Sequence, residues 1–207
     1  CLAQLTLTDA RDVRLVYTPL HGVGMTSVAV ALRELGYKDL HIVEEQAVPD
    51  GNFPTVRGGI ANPEDPHSFT LAIQKAAEID ADLSLASDPD ADRFGCALPH
   101  PEKSWNAPPE ELALTGNQIG AILCHYILSQ KQARGDLPEK GLICETVVTT
   151  DLVGVIARSF GVEVVDDLLI GFKYIGATIN AMPDGTEFIF GTEESHGYLA
   201  DDAIRDK

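Results

Sequence analysis

The chain has 207 residues, of which 44% are hydrophobic and 23% charged, as is typical of a folded globular protein and not of a disordered one. Its 32 acidic residues outnumber its 15 basic ones and give a formal net charge of −17, which argues against nucleic acid or an anionic membrane as a partner. No segment reaches the roughly 18 consecutive apolar residues of a membrane span and no leader is recognisable, so we expect a soluble, untargeted protein.

The first part of the chain predicts a β-α-β unit. Residues 13–18 are apolar and β-branched, as in a strand, and the turn residues 19–24 break that run. A helix follows, and residues 40–44 predict a second strand parallel to the first. The apolar residues at helical spacing between the two strands are Val28, Ala31, Leu32 and Leu35.

Two glycines in that turn, Gly22 and Gly24, form part of a dinucleotide-binding fingerprint, with Glu44 about twenty residues further on. The position of the third glycine is occupied by Ser27, so a tight strand-to-helix turn is the alternative explanation. His21, in the same turn, is either a ligand contact or a turn residue, and both interpretations stay open.

Residues 49–66 are rich in Pro, Gly and Asn and predict a structured loop, a candidate lining for a site. Asp65 and Pro66 at its end are typical of a helix cap and a first helical residue. The helix that follows has an apolar face made of Phe69, Ala72, Ile73 and Ala76. Residues 83–86 then predict a buried strand.

Three carboxylates, Asp88, Asp90 and Asp92, follow this strand on alternate residues, and Arg93 comes next. Alternate side chains of an extended or looping backbone project the same way, so the three can converge on one cation, and oxygen-only ligation suits Mg²⁺ or Mn²⁺. Ligands of open α/β sheets also bind at the carboxyl ends of strands. An EF-hand is excluded because Arg93 and Pro99 occupy the positions of its glycine and glutamate. A solvated acidic turn is the alternative.

Residues 99–109 contain four prolines and predict a boundary between two α/β domains, residues 1–100 and residues 110–207. In the second domain we expect strands at residues 142–148, 162–165 and 187–190 and a short helix at residues 172–179. A helix starting at Thr115 is expected to carry the apolar residues Ile119, Ile122, Leu123, Tyr126 and Ile127. A helix capped by Thr150 or Asp151 is expected to bury Leu152, Val155, Ile156 and Phe160.

A polar turn between glycines, residues 191–198, follows the last of these strands. Its carboxylates and hydroxyl, on Glu193, Glu194 and Ser195, suit the hydroxyls of a sugar, and a solvated turn is the alternative. Ser195 and His196 are not a nucleophile pair, because adjacent residues in a strand-like turn point apart and no G-x-S-x-G frame surrounds them.

The cysteines of the chain give no sign of a metal site or a disulfide framework. Cys1, Cys96, Cys124 and Cys144 are widely spaced and form no C-x-x-C pair. A reducing cytoplasm fits this pattern best.

Five motifs together resemble the phosphoglucomutase/phosphomannomutase family, the α-D-phosphohexomutases, in order and spacing over essentially the whole chain. They are T-P-L-H-G-V-G at 18–24, D-P-D-A-D-R at 88–93, T-G-N at 115–117, G-F-K at 171–173 and E-E-S-H-G at 193–197. Family enzymes have four domains, and this chain resembles the second and third. The implied fold is two tandem three-layer α/β/α domains, each with a mixed, mainly parallel sheet of roughly four strands.

The resemblance also implies roles for individual residues. Asp88, Asp90 and Asp92 would bind Mg²⁺, and Arg93 would be the catalytic residue beside the reacting phosphate. The substrate-binding residues would be Glu193 and Ser195 for sugar hydroxyls, Lys173 for the phosphosugar, and His21 of the first motif. Ile170 departs from the family, many members of which have threonine before the G-F-K turn.

The implied activity moves a phosphoryl group between the 1- and 6-hydroxyls of a hexose, through a phosphoserine and a bisphosphorylated sugar. The chain contains neither a T-A-S-H-N-P-like segment for the phosphoserine nor an R-x-S-G-T-like phosphate loop, both of which belong to the family's first and fourth domains. We therefore expect a central fragment that is inactive alone. Its expected partners are a phosphorylated hexose and those flanking N- and C-terminal domains.

Two other interpretations remain at this point. One is a non-catalytic α/β module that binds a nucleotide or an acidic metal complex, and the other is a degenerate mutase kept for protein contacts. The sequence does not choose between glucose, mannose and pentose phosphates, and it leaves the oligomeric state open.

Overall fold

Two separate four-stranded sheets organise the computed structural model, which describes residues 12–206. The first sheet belongs to a compact unit that ends at Leu114, and the second to a unit that begins at Thr115. Both sheets are mixed and mostly parallel, with helices around them, which confirms the expected α/β/α fold class. Cys1 lies outside the described residues.

The first sheet has the strand order β2-β1-β3-β4. β1 (Leu15–Thr18) pairs in parallel with β2 (Leu40–Ile42) and β3 (Leu83–Ser87), and β4 (Phe94–Ala97) runs antiparallel to β3. Successive residues of a strand point to opposite faces, so Val16 packs with α2 (Thr70–Ile79) while Tyr17 packs with α1 (Val28–Glu34). The predicted apolar face of α2, with Phe69 before it, is buried as expected.

The proline-rich segment at residues 99–109, where we expected the domain boundary, is packed onto the first unit. Trp105 is 3% exposed, lies in the main core of that unit, and donates its indole N–H to the carbonyl of Ala81 at 2.7 Å. A short helix, α3 (Pro109–Leu112), follows and contributes Leu112 to the same core. Burial of the indole ring and of Leu112 explains why this segment is folded despite its prolines.

The second sheet has the order β6-β5-β7-β8. β5 (Gly141–Thr146) pairs in parallel with β6 (Glu163–Leu168) and β7 (Glu187–Glu193), and β8 (Gly197–Leu199) runs antiparallel to β7. One face of this sheet packs against α4 (Gly116–Arg134) and α5 (Leu152–Ser159), and the other packs against α6 (Phe172–Asn180). Within residues 12–206, no helix combines the length and the apolarity needed to cross a membrane.

Helices α4 and α5 bury part of the expected apolar residues: Ile119 is 4% exposed, and those packed against the core of the second unit are Leu123, Ile127, Ile156 and Phe160. Leu152 and Val155 of α5, which we expected to face inward, are 51% and 58% exposed, and Ile122 and Tyr126 of α4 are 56% and 40% exposed. Small residues face the sheet instead, because the helices approach it closely. A Cβ at Gly120 would lie 2.9 Å from Thr192 Oγ1, and one at Gly154 would lie 3.0 Å from Glu145 Oε1. The predicted inward orientation was therefore wrong for Leu152 and Val155.

Candidate functional site

The aspartate loop joins β3 to β4 at the carboxyl end of β3. The amide of Ala91 donates to the carbonyl of Asp88 at 3.0 Å, and the amide of Asp88 faces the carbonyl of Arg93 at 3.4 Å. Ala91 has a φ of 61°, in the left-handed region that non-glycine residues seldom adopt. A tight turn therefore shapes the loop that carries the three carboxylates.

Asp88, Asp90 and Asp92 each contribute one carboxylate oxygen to a group in which all three atoms lie within 4.8 Å of one another. Asp88 is buried, Asp92 is half-buried and Asp90 is exposed, so the group opens to solvent on one side. Three anionic oxygen donors at this separation repel one another and offer the ligand chemistry of a hard divalent cation. The donor set therefore fits Mg²⁺ or Mn²⁺.

Asp88 is ionised and fixed by hydrogen bonds. Its Oδ1 accepts the amides of Asp92 at 3.1 Å and Arg93 at 3.0 Å, and its Oδ2 accepts Nε of Arg93 at 2.8 Å. Burial alone would raise the pKa of Asp88, yet the hydrogen bonds from the backbone and side chain of Arg93 hold that pKa below its ordinary value. The first carboxylate of the loop is thus held in its charged form.

Arg93 is held by residues from an earlier loop that sequence reasoning did not single out. Its Nη1 donates to Asn62 Oδ1 at 3.1 Å and to Glu64 Oε1 at 2.9 Å, while Nε is bonded to Asp88. No hydrogen bond of Nη2 is seen among residues 12–206. The only available signal was the prediction that residues 49–66 line a site. The bonds of Nε and Nη1 fix the direction of the guanidinium, and the side chain of Arg93 is 26% exposed.

His21 lies in the turn after β1 and is 5% exposed. Its Nδ1 is 3.2 Å from the carbonyl oxygen of Val48, and its Nε2 is 2.8 Å from Thr55 Oγ1. Both ring nitrogens are thus used inside the first unit. The structure gives His21 a role in holding the turn, and its contact with a substrate stays a prediction.

The turn between β7 and β8 brings two predicted sugar-binding residues together. Glu193 is 2% exposed; its Oε1 accepts the amide of Gly171 at 2.6 Å and its Oε2 accepts the hydroxyl of Ser195 at 3.5 Å. Ser195 itself is half-buried. The carboxylate therefore ties this turn to the G-F-K turn at the start of α6.

Lys173 stands exposed in the first turn of α6, two residues after the glycine that Glu193 holds. Its Nζ lies 4.9 Å from the centre of the Tyr174 ring. Gly171 has a φ of 120°, a conformation that L side chains rarely adopt, so this turn requires glycine. Ile170, just before it, is 59% exposed.

Hydrogen bonds among polar side chains support the same edge of the second sheet, and two of these residues, Thr146 and Thr149, were not singled out from the sequence. Thr146 Oγ1 lies 2.9 Å from Thr149 Oγ1 and 3.3 Å from Glu194 Oε2. Asn117 Oδ1 accepts the amide of Thr150 at 3.0 Å. These bonds join the end of β5, the start of α4 and the polar turn after β7.

Comparison with known proteins places both units in one family. Residues 2–102 match the family model described as phosphoglucomutase/phosphomannomutase, alpha/beta/alpha domain II, and residues 115–207 match domain III of the same family. The phosphoglucomutase of Staphylococcus haemolyticus is 37% identical over 196 residues, which are 95% of this chain and 33% of that protein. The probable phosphomannomutase of Haemophilus influenzae is 35% identical over 206 residues, 99% of this chain and 38% of that protein.

Solved structures show the same fold at low sequence identity. A phosphoglucomutase/phosphomannomutase family protein from Burkholderia thailandensis matches with a TM-score of 0.67 and 20% identity, over 94% of this chain and 38% of that one. An Aspergillus fumigatus N-acetylphosphoglucosamine mutase in complex with glucose 1,6-bisphosphate matches with a TM-score of 0.55 and 15% identity, over 89% of this chain and 32% of that one. The chain spans about a third of the length of the curated relatives. Because the two family models together cover most of its residues, the chain belongs to the phosphoglucomutase/phosphomannomutase family.

Proposed function

We propose that this chain is the metal- and sugar-binding part of a phosphohexomutase, an isomerase that interconverts hexose 1-phosphate and hexose 6-phosphate. The reaction would run through a phosphoserine and a bisphosphorylated sugar, with the phosphoserine supplied by a flanking domain of a longer protein. The observation that carries the proposal is the convergence of three aspartate oxygens within 4.8 Å beside a fixed arginine. The names of the relatives supply the class of reaction.

In the first unit, Asp88, Asp90 and Asp92 would hold Mg²⁺, which when bound supplies positive charge to neutralise phosphoryl oxygens. Arg93 is the proposed catalytic residue. Its Nε donates to Asp88 and its Nη1 donates to Asn62 and Glu64, and these bonds fix the orientation of the guanidinium. Nη2 is the group that we expect to donate to a phosphoryl oxygen. Such a rigid donor is the kind of group that phosphoryl transfer requires, because the step depends mainly on positioning and charge.

In the second unit, the proposed sugar contacts are Glu193 and Ser195, and Lys173 is the proposed contact of the phosphosugar. The two carboxylate oxygens of Glu193 accept the amide of Gly171 and the hydroxyl of Ser195, and carboxylate oxygens are acceptors suited to the hydroxyls of a sugar. The exposed ammonium of Lys173 is a point charge on a flexible stem, suited to a phosphate that must be bound in two orientations. Glucose and mannose phosphates both satisfy these groups.

A cytoplasmic location is part of the proposal. Cys96, Cys124 and Cys144 are buried free thiols, and burial raises their pKa values to about 11, 12 and 12. Unreactive thiols of this kind suit a reducing compartment.

The alternative of a nucleotide-binding module finds no support at the glycine turn. The space beside Gly22 that a pyrophosphate would need is filled by the backbone of Pro89, since a Cβ at Gly22 would lie 2.2 Å from Pro89 Cα. The aspartate loop therefore occupies the position where a dinucleotide-binding fingerprint would place the pyrophosphate of its ligand.

Metal binding tests the proposal directly. We expect the chain to bind one Mn²⁺, measured by electron paramagnetic resonance of free Mn²⁺, and Mg²⁺ to displace it. Asp90→Asn should weaken Mn²⁺ binding about tenfold or more, because it removes one of three anionic ligands. Asp90 is exposed, so the variant is expected to fold.

Asp80→Asn is the matched control. Asp80 is an exposed carboxylate at the end of α2 with a φ of 52°, a conformation that asparagine also tolerates. It removes the same charge outside the loop and should leave Mn²⁺ affinity unchanged. Equal affinities of the Asp90 variant and the original chain would contradict the proposed metal site.

A further inference from the structure

We propose that the turn at residues 20–24 fixes the shape of the aspartate loop, residues 88–93, and that Gly22 is a positioning residue for the carboxylates of that loop. The inference rests on the proposed metal binding of the first unit. It assigns a role to the two glycines of the T-P-L-H-G-V-G motif, which the proposed reaction does not use. Three sets of contacts support it.

The first contact is between Gly22 and Pro89, the residue between the first two aspartates. A Cβ at Gly22 would lie 2.2 Å from Pro89 Cα and 2.4 Å from its carbonyl oxygen, both of which are backbone atoms. The next amide, that of Val23, donates to the same carbonyl at 2.8 Å. Gly22 has a φ of −100°, which any residue adopts, so glycine is needed here for the close approach and not for the backbone conformation.

The second contact lies on the other side of Asp88. A Cβ at Gly24 would lie 1.9 Å from Tyr17 Oη and 2.6 Å from Ser87 Oγ, and these two hydroxyls are 2.7 Å apart. Ser87 directly precedes Asp88. The turn therefore touches the chain immediately before and immediately after the first aspartate.

The turn is itself held firmly by the rest of the first unit. Leu20 and His21 have φ angles of 47° and 63°, which non-glycine residues keep only when surrounding contacts impose them. The backbone of His21 donates to the carbonyl of Gln46 at 3.0 Å and accepts the amide of Asp50 at 3.0 Å. The amide of Leu20 donates to Thr18 Oγ1 at 3.1 Å. A turn fixed in this way can serve as a rigid support.

These contacts have a consequence for metal affinity. Pro89 connects Asp88 to Asp90, so any side chain at residue 22 must displace Pro89 and with it one or both carboxylates. Ligands that are preorganised lose less conformational freedom on binding, and a displaced loop would have to be reordered by the cation. The affinity for a divalent cation therefore depends on the absence of a side chain at residue 22.

The test compares two glycine-to-alanine variants of the 207-residue chain. Gly22→Ala should weaken Mn²⁺ binding about tenfold or more, measured by electron paramagnetic resonance, while far-UV circular dichroism stays unchanged. Gly51→Ala is the control, because no heavy atom lies within 4 Å of a Cβ at that position. Its affinity should equal that of the original chain. If Gly22→Ala binds Mn²⁺ as tightly as the original chain, the positioning role is wrong although the metal site stands. If the original chain binds no Mn²⁺, the proposed function fails and the inference fails with it.

A second measurement covers the case in which Gly22→Ala does not fold. In the original chain, saturating Mg²⁺ should slow hydrogen exchange of the Val23 amide about threefold or more, because that amide donates to the loop that the cation orders. The amide of Thr149, in the second unit, should be unaffected. Unchanged exchange at Val23 in the presence of bound Mg²⁺ would contradict the coupling of turn and loop.

Discussion

Glu145 is a buried carboxylate whose surroundings favour its protonated form. It is 2% exposed on β5, and no hydrogen-bond partner of its Oε2 is seen among the described residues. Burial raises the pKa of Glu145 to about 7, and the negative charges of Asp166 and Asp151 add to this effect against Arg158 and the amide of Gly154. The side chain makes the stability of the second unit dependent on pH.

The direction of this pH dependence follows from the number of protons that the folded and unfolded chains bind. Between the ordinary pKa of 4.5 and about 7, the unfolded chain has lost this proton while the folded chain keeps it, so stability falls as pH rises through that window. Glu145→Gln is neutral at every pH and should stabilise the second unit by on the order of 2 kcal/mol at pH 8, and much less at pH 4.5. Hydrogen exchange of the β5 amides measures the free energy of opening of this unit.

Glu163→Gln serves as the control for this prediction, since Glu163 is an exposed carboxylate on the neighbouring strand β6. It should change the protection of β5 little at either pH. If Glu145→Gln and the original chain lost the same stability between pH 4.5 and pH 8, Glu145 would not be the residue responsible.

At the level of single residues, the sequence predicted the three carboxylates of the aspartate loop as a group, because they stand on alternate residues of one short segment. Asn62 and Glu64, which hold Arg93, were not predicted, since they lie about thirty residues away and only the tertiary fold brings them to the guanidinium. The same is true of Thr146 and its bond to Glu194. Local patterns identify candidate ligands, whereas the residues that support them come from distant segments.

Among the elements, α4 begins with a reciprocal capping box. Thr115 Oγ1 accepts the amide of Gln118 at 3.3 Å, and Gln118 Oε1 accepts the amide of Thr115 at 2.9 Å. Thr115→Ala removes one of these bonds and should destabilise the second unit by about 1 kcal/mol. Hydrogen exchange of β5 amides is again the measurement, and fluorescence of Trp105, in the first unit, should not change.

Ser129→Ala controls for a loss of hydroxyl elsewhere on the same helix. Ser129 Oγ donates to the carbonyl of Tyr126 within α4 and caps no helix end. Alanine favours a helix interior, so this variant should be neutral or slightly stabilising. A loss equal to that of Thr115→Ala would show that the cap contributes nothing specific.

Element type was easier to predict than the orientation of a helix. The predicted apolar face of α2 was right, but α4 and α5 carry apolar residues on more than one face, so spacing alone could not decide which face is buried. Gly120 and Gly154 leave room for the helices to approach the sheet closely, and this close approach determines which face of each helix is buried. The three-residue strand β8 was not predicted, because it is short and follows a turn that drew attention for its polar groups.

At the scale of the whole molecule, the succession of strand and helix patterns predicted the two α/β units, but not that the segment at residues 99–109 packs onto the first of them. The prolines of residues 99–109 suggested a domain boundary, whereas the single tryptophan of the chain, Trp105, is buried in the core of the first unit. An indole ring buried in a core removes a large apolar surface from water, an effect that proline content does not reveal.

The proposed assignment of the phosphoserine to a flanking domain leads to a last prediction. The chain spans about a third of the curated relatives, and the proposed reaction needs a phosphoserine as donor of the phosphoryl group. In a coupled assay from glucose 1-phosphate to glucose 6-phosphate, the 207-residue chain should show no turnover above background. A longer chain that includes the flanking domains should be active, and Asp90→Asn in it should lower kcat on the order of a hundredfold, because metal charge is lost where the phosphoryl group reacts. Asp80→Asn in the longer chain should retain activity. Robust turnover by the 207-residue chain would show that its own residues supply the phosphoryl donor, which would overturn the assignment of that step to a flanking domain.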